Sequence, residues 1–459
     1  MRNAILKDLR EVVTKESISQ LSFKHRFSQR STSQIHGIDF LKMLILQASS
    51  GVKITYNALN ASLRCVNPKI CISNQAIAKY LCRISSAHFV RSIYEKIFQF
   101  QKSTVLFPML SKEQCSLFEK FGQILIEDST YCSLDEQLFP SYKGCGGKGS
   151  KAGLKINVIQ DFKSSLIKDL SILQGNFPDA KDTDRIVNVA LKGDLVLRDL
   201  GYSNVGSFSL FTERGIYFIS RYHSSICIYE DATEKQALDL GRFLVKKMGN
   251  RRVLDMELYF SEKKHKYRLI AYRVPENVSN QRRRKAKRKA QCHGRTASKA
   301  LLNLCDYVIM ITNTPDAMVP AEFIGTIYRI RWSIELLFKS WKSHLNLQAN
   351  LTEGRNQSRI ECCLYAILIV GLLTLLLKGW LESIALPNEK MSLAKTTQWL
   401  TFIRGVYKWL FKSIYRLQEE LKTCVAMICH QVRSRKTTLE RVASEESYSF
   451  QYNNHFLIG

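Results

Sequence analysis

The spacing of apolar residues changes along the chain and divides it into helical and strand-like stretches. Up to about residue 105, apolar residues recur every three or four positions, as from Phe40 to Leu46 and from Ile84 to Phe100, and this spacing predicts helices. From about residue 120, short apolar runs predict strands instead, at Ile124 to Ile126, Leu154 to Ile159, Leu166 to Leu173 and Leu195 to Arg198. Helical spacing from Asp182 to Leu191 predicts a helix between the third and fourth runs.

The order of these elements, three strands, a helix and a fourth strand, predicts an α/β fold of the ribonuclease-H-like class. Further apolar runs predict a β-rich insertion in this core, at Ile216 to Arg221, Ser225 to Tyr229, Leu254 to Phe260, Tyr267 to Val274 and Tyr307 to Thr312. Helical spacing then continues to about residue 430. We therefore expect a ribonuclease-H-like core with a β-rich insertion, flanked by an all-helical N-terminal domain and a helical C-terminal region.

The N-terminal helical stretch contains a capping signal. Within Ile72 to Ile77, Ser73 can cap a helix that continues through Ala78, Leu81 and Ile84. One interpretation is a helix-turn-helix that reads DNA, and the other is a helical bundle with an incidental cap. The residues alone favour neither.

One uncharged segment, Cys362 to Leu377, has sixteen residues and is followed by Lys378. A helix that spans a bilayer usually needs about 20 apolar residues. Because this segment is shorter and charged residues stand on both sides of it, we predict a buried core helix, with a membrane span as the alternative.

The net charge indicates the partner. Lys and Arg total 68 against 40 for Asp and Glu, giving a formal charge of +28, which favours a polyanion: nucleic acid first, an acidic membrane surface second. The thirteen cysteines are scattered and include no C-x-x-C pair, which fits neither a disulfide framework nor a zinc ribbon. The histidines form no ligand-like group, so no zinc site is expected. We expect a reduced, cytoplasmic protein without a membrane partner.

Two of the predicted strands run directly into an aspartate. Asp128 follows the run at Ile124, and Asp199 follows the run at Leu195 and precedes Gly201, which permits a tight exit. Carboxylates brought together would repel one another unless cations intervene, so convergence predicts bound metal. Oxygen ligands with open positions suit Mg²⁺, for which Mn²⁺ can substitute.

Other acidic residues near Asp128 compete for the role of the first ligand. They are Glu127, Asp135 and Glu136. Because side chains alternate along a strand, Glu127 is expected to point away from Asp128. Asp128 is therefore the predicted ligand.

The segment Ile327 to Leu345 has the periodicity of a helix. With a turn of about 100° per residue, one apolar stripe is predicted, made of Ile330, Ile334, Leu337, Trp341 and Leu345. Four polar residues then share an arc of roughly 60° beside that stripe: Tyr328, Arg331, Glu335 and Lys342. Taken alone, the arc is more typical of the solvated flank of an amphipathic helix than of a functional site.

The spacing of those four residues, combined with the two aspartates, resembles the signature of the insertion-sequence-four family of bacterial DDE transposases. The resemblance covers about residues 35 to 380. It implies that Asp128, Asp199 and Glu335 hold two metal ions that serve DNA strand cleavage and joining. It also implies that Tyr328, Arg331 and Lys342 contact backbone phosphates near the cut.

Members of the family often form a DNA hairpin and flip a base against an aromatic side chain in the insertion. This chain has no Trp between residues 230 and 330. Four other aromatic residues could substitute, although ordinary strand positions are the favoured interpretation: Tyr259, Phe260, Tyr267 and Tyr272.

A basic run, RRRKAKRK, is predicted to be a loop that touches DNA phosphates, with a solvated loop that aids solubility as the alternative. Its charged residues are Arg282, Arg283, Arg284, Lys285, Lys287, Arg288 and Lys289.

We expect five segments: 1–110, a helical DNA-binding domain; 120–215, the first part of the catalytic core; 216–315, the β-rich insertion; 316–380, the catalytic and buried helices; and 381–459, a helical region for possible dimerisation. The predicted function is a cut-and-paste transposase that acts as a homodimer on double-stranded DNA, at its element ends and target, in the nucleoid. The alternatives are an inactive DNA-binding derivative and a ribonuclease-H-like nuclease that does not transpose.

Overall fold

The computed structural model describes residues 12–28, 33–103, 116–146, 150–352, 354–384, 391–412 and 420. Within them the chain is mixed α/β and divides into two compact units. The first unit comprises the described residues within 1–109, 128–177 and 333–434, and the second comprises those within 110–127 and 178–332. Much of the predicted C-terminal region, 381–459, lies outside the described residues.

The helices and strands are numbered in chain order. The helices are α1 Lys15–Lys24, α2 Gly37–Ala48, α3 Tyr56–Val66, α4 Asn74–Leu81, α5 Ile84–Ser103, α6 Ser116–Glu119, α7 Thr183–Val189, α8 Val205–Glu213, α9 Leu240–Met248, α10 Glu276–Cys292, α11 Lys299–Leu304, α12 Ala321–Tyr328, α13 Ser333–Ser343, α14 Leu347–Thr352, α15 Gln357–Ile384, α16 Leu393–Phe402 and α17 Gly405–Phe411. The strands are β1 Ile124–Leu134, β2 Ala152–Asp161, β3 Ile167–Gln174, β4 Leu195–Arg198, β5 Tyr217–Arg221, β6 Ile228–Tyr229, β7 Val253–Phe260, β8 His265–Arg273 and β9 Tyr307–Thr312.

The strand predictions are confirmed, since every apolar run that predicts a strand overlaps a strand of the structure. The helix predicted between the third and fourth strands is confirmed as α7. The cap is also confirmed, because the Ser73 side chain accepts a hydrogen bond from Ala76 N at the start of α4. That helix ends at Leu81 rather than continuing to Ile84, which opens α5 and is 68% exposed.

In the first unit, the uncharged segment forms the centre of the long helix α15. It is apolar on all sides and packs against α5 and α2. By length and composition α15 is the one helix among the described residues that could cross a membrane, but 94% of its most apolar window is buried inside the protein. The predicted buried core helix is therefore confirmed as buried.

Helix α13 packs close to α15 at Gly371. A Cβ atom at Gly371 would lie 2.6 Å from Nε1 of Trp341, whose side chain is 1% exposed. Glycine at this position lets the helix that carries Glu335 approach the core helix.

Gly371→Ala is expected to lower the free energy of unfolding by about 1–2 kcal/mol, because the overpacking cost of about 1–3 kcal/mol exceeds the gain in helix propensity. Urea denaturation followed by circular dichroism measures this. In a Trp341→Phe background, which removes Nε1, the same substitution should cost less. An equal cost in both backgrounds would contradict the proposed contact.

The second unit contains a mixed sheet. The opening residues of β1 pair in parallel with β4, and β4 pairs in parallel with β5. Strands β5, β9, β8, β7 and β6 follow in that order, each antiparallel to its neighbour. The predicted insertion strands, β5 to β9, thus continue one sheet with β4.

The prediction of one continuous helix from Ile327 to Leu345 is wrong. Helix α12 ends at Tyr328, a 3₁₀ turn covers Arg329–Trp332, and α13 begins at Ser333. Buried apolar residues three positions apart, Ile327 and Ile330, suit a 3₁₀ turn as well as an α-helix. Since the 3₁₀ turn rotates differently per residue, the single arc of four polar side chains does not form.

The prediction of a loop for the basic run is also wrong, because the run lies inside helix α10. Arg, Lys, Ala and Gln all have high helix propensity, and Glu276 in the first turn favours the helix dipole. The charge density of the basic run predicts a loop, but the helix propensity of the same residues favours a helix.

Candidate active site

The candidate site begins with the register of β1 and β4. In the second unit Glu127 pairs with Arg198, which is the last residue of β4. Strand β1 continues beyond Glu127 to Leu134, so Asp128 lies inside this strand and not after its end as predicted. The next residue after each partner is an aspartate, Asp128 and Asp199.

A buried ion pair joins the two strands. Glu127 Oε2 lies 2.8 Å from Arg198 Nε, and the two side chains are 0% and 3% exposed. The Arg198 guanidinium also stacks over the ring of Tyr202, 4.8 Å from its centroid. Glu127 therefore has a structural partner inside the unit, which fits the prediction that it points away from the Asp128 side chain.

Asp199 is accessible and has a cationic neighbour. Its side chain is 44% exposed, and its Oδ1 lies 3.7 Å from Nε of Arg331, which is only 12% exposed. Arg331 stands in the 3₁₀ turn between α12 and α13. A buried guanidinium beside an exposed carboxylate leaves the carboxylate open to a further ligand.

Tyr328, which was expected to contact a DNA phosphate, is buried in the structure. Its side chain is 1% exposed, and its hydroxyl donates to the backbone oxygen of Arg198 at 3.1 Å. Burial raises the pKa of this hydroxyl well above its ordinary value, while the nearby Arg331 acts in the opposite direction. In this structure Tyr328 braces the end of β4 and does not face solvent.

The first unit carries the other two predicted carboxylates. Asp128 is partly buried, and its Oδ1 accepts a hydrogen bond from Ser129 N at 2.8 Å. Glu335 lies in the first turn of α13, where the helix dipole favours a negative charge. Buried neighbours on the same helix, Ile334, Leu337 and Trp341, fix its orientation, and Glu335 itself remains partly exposed.

Lys342 lies near the end of the same helix. Its Nζ donates to the backbone oxygen of Tyr131 in β1 at 3.1 Å. Burial raises the pKa of the neighbouring Cys132 thiol to about 11, and the Lys342 charge opposes that shift. Lys342 thus ties α13 to β1 within the first unit.

The basic helix α10 has two kinds of charged residue. Arg282 donates to the backbone oxygen of Tyr307 at 2.8 Å, and Arg283 forms an ion pair with Asp306. These two arginines attach the helix to the end of β9. The other five are exposed: Arg284, Lys285, Lys287, Arg288 and Lys289.

Three of the four aromatic residues considered for base stacking are buried. Phe260, Tyr267 and Tyr272 are 0%, 4% and 2% exposed, and the Tyr272 hydroxyl donates to the backbone oxygen of Ala321. They are core residues of the sheet here, and Tyr259 is half-buried.

The donor chemistry of Asp128, Asp199 and Glu335 fits a hard divalent cation, because all three are carboxylates and all three keep some exposure. Throughout the part of the chain that the structure describes, no three His, Cys, Asp or Glu side chains form a group that could hold a metal ion. The fit therefore rests on ligand type and accessibility.

Comparison with known proteins decides the family. A family model described as "Transposase DDE domain" matches residues 119–370, more than half of the chain. The chain belongs to the DDE transposase family. The match covers the nine strands of the described residues, the 3₁₀ turn that carries Arg331 and the helix that carries Glu335.

Several insertion-sequence transposases are similar to this DDE transposase. The transposase of IS231D from Bacillus thuringiensis subsp. finitimus is 30% identical over 269 residues, 55% of each chain. That of IS231B from Bacillus thuringiensis subsp. berliner is 28% identical over 318 residues, 66% of each chain. That of IS1151 from Clostridium perfringens is 22% identical over 440 residues, 92% of this chain and 90% of the relative. The chain thus spans about half the length of the first of these relatives.

DDE transposases use divalent metal ions. In this transposase, sequence patterns alone did not reveal the role of Arg198, because an arginine at the end of an apolar run is typical of the end of a strand. A signal was present in Glu127, since a carboxylate inside a buried strand requires a partner.

Proposed function

We propose that this DDE transposase binds the terminal inverted repeats of an insertion sequence and carries out metal-dependent strand cleavage and strand transfer, by a cut-and-paste route. The single observation that supports it most is the parallel register of Glu127 with Arg198, because an aspartate follows each partner. The fold would be a ribonuclease-H-like core with a β-rich insertion.

Asp128, Asp199 and Glu335 would hold Mg²⁺, or Mn²⁺ in its place. When bound, such ions generate a nucleophile near neutral pH and stabilise charge on a leaving oxygen. The chain's own residues would position the DNA. Arg331 has the planar fork that grips a phosphate in a bidentate manner.

The other two signature residues, Tyr328 and Lys342, would support the site from beneath the surface that contacts DNA. Tyr328 would hold the end of β4, and through it Asp199, in place. Lys342 contributes a positive charge beside β1. The proposal thus retains Tyr328, Arg331, Glu335 and Lys342 as the signature of the insertion-sequence-four family, with Tyr328 as a positioning residue.

The other DNA contacts would come from the exposed residues of α10 and from the helical region 1–110, where a connection over residues 67–73 joins α3 to α4. A homodimer would hold two element ends, with residues 381–459 contributing to its interface. The charge of +28 is the physical basis for binding DNA in the nucleoid.

The decisive experiment incubates the purified chain with DNA carrying the ends of the element that surrounds its gene, a supercoiled target plasmid, and Mg²⁺. Cuts at the element ends followed by joining of the freed 3′ ends to the plasmid are expected. Binding without cutting would indicate an inactive DNA-binding derivative. Cutting without joining, in Mg²⁺ and in Mn²⁺, would indicate a nuclease that does not transpose.

A further inference from the structure

A cavity of about 370 Å³ lies in the second unit beside the candidate site. The segment after β5, the helices α10 and α11, and strand β9 surround it. Leu200, the residue that follows Asp199, lines one side. Its volume is near the lower end of the range of about 300–1,000 Å³ that is usual for ligand sites.

Every charged side chain that lines the cavity is basic. The polar groups that point to an anion are Arg221, His223, Ser224, Arg282, Lys285 and Lys289, and no carboxylate lines the cavity. Ser225 N donates to Nδ1 of His223 at 3.2 Å, and Ser225 Oγ lies 2.6 Å from the same ring nitrogen. A cavity lined by cations and hydrogen-bond donors selects an anion.

The cations differ in how firmly they are held. Arg282 is held by its bond to the backbone oxygen of Tyr307. Lys285 and Lys289 are exposed and stand one turn apart on the same face of α10. An ordered arginine with two adjustable lysines suits an anion with several acceptor oxygens, such as a phosphate.

Much of the remaining lining is apolar. It includes Leu301, Leu304, Val308 and Ile309. This apolar part of the lining suits the sugar carbons on either side of a phosphodiester better than a hydrated inorganic ion.

We propose that this cavity holds one backbone phosphate of the DNA strand that Asp199 helps to cut. The inference rests on the proposed function and deepens it, because it assigns a fixed contact point to the substrate strand. Lys285 and Lys289 therefore have a role that Arg284 and Lys287, on the same helix but outside the cavity, do not share.

The test combines two lysine-to-alanine changes with neutral methylphosphonates placed one at a time along the cut strand. The pocket variant is Lys285→Ala with Lys289→Ala. The matched control is Arg284→Ala with Lys287→Ala, which removes the same charge from the same helix and should weaken overall DNA affinity similarly.

In the wild type, one methylphosphonate position is expected to weaken DNA binding by about tenfold or more, the size of a lost charge-assisted contact. The same position should cost less than about twofold in the pocket variant, while the control variant keeps the wild-type sensitivity. Equal sensitivity in all three proteins, or no sensitive position, would overturn the proposal.

Two further readouts separate the causes of failure. Saturable binding of inorganic phosphate in the absence of DNA, lost in the pocket variant, together with no sensitive DNA position, would assign the cavity to free phosphate and overturn the proposal. A sensitive position in a wild type that binds but never cuts would support the phosphate site and reject the catalytic function. Cutting without any sensitive position would do the reverse.

Discussion

Asp128→Asn, Asp199→Asn and Glu335→Gln are each expected to reduce Mg²⁺-dependent cutting of element-end DNA by about 10³-fold or more. Each change replaces a charged oxygen ligand by a neutral amide of the same shape, and metal catalysis contributes several kcal/mol, with about 1.4 kcal/mol for each tenfold. Single-turnover cleavage on radiolabelled DNA measures the effect.

DNA binding by these variants should stay within a few-fold of the wild type, because removing a negative charge does not weaken attraction to phosphates. Glu136→Gln is the matched control. Glu136 is 63% exposed and pairs with Lys151 at 3.3 Å, so its loss should leave cleavage and stability nearly unchanged. Full cleavage by Asp128→Asn would remove that residue from the site.

The second large effect is expected at the buried ion pair. Arg198→Met leaves the Glu127 carboxylate buried without its guanidinium partner, and Glu127→Leu leaves the guanidinium without its carboxylate. Each single change is expected to lower the free energy of unfolding by about 3–5 kcal/mol. The double change should cost much less than the sum, since an apolar pair of similar volume removes both buried charges.

The exposed pair Arg91 and Glu95 provides the control. It has almost the same N–O distance, 2.9 Å, but its side chains are 56% and 53% exposed. Arg91→Met should therefore change stability by no more than about 0.5 kcal/mol. Urea denaturation of all the variants measures the comparison, and additive losses at Glu127 and Arg198 would contradict direct coupling.

The buried ion pair also links stability to the candidate chemistry. Arg198 ends β4 one residue before Asp199, and its backbone oxygen accepts the Tyr328 hydroxyl. The double variant is therefore expected to fold stably and yet cut DNA more slowly than the wild type, because the strand end loses its fixed position. Equal cleavage rates would limit the pair to a structural role.

Much of the local structure followed from short-range pattern. The apolar runs predicted the strands because a buried strand needs apolar side chains whatever its neighbours are, and Ser73 predicted a helix start because its side chain caps its own backbone. The buried character of α15 followed from a segment with no polar face.

The errors arose where one pattern permits two structures. Residues 327–345 have the periodicity of a helix, but the 3₁₀ turn at Arg329–Trp332 preserves the burial of Ile327 and Ile330. The basic run on α10 has both a loop's charge and a helix's backbone preference. The spacing of residues along the chain does not distinguish between the two structures that each pattern permits.

The sequence by itself determined most of the elements and the order of the acidic residues and indicated a polyanionic partner, because these depend on neighbours in the chain and on total charge. Only the tertiary structure decided that Glu127 pairs with Arg198, that Tyr328 is buried against β4, and that Lys285 and Lys289 line one cavity with Arg221 and His223. Those contacts join residues dozens to more than a hundred positions apart, and the burial that makes them strong exists only after the chain has folded.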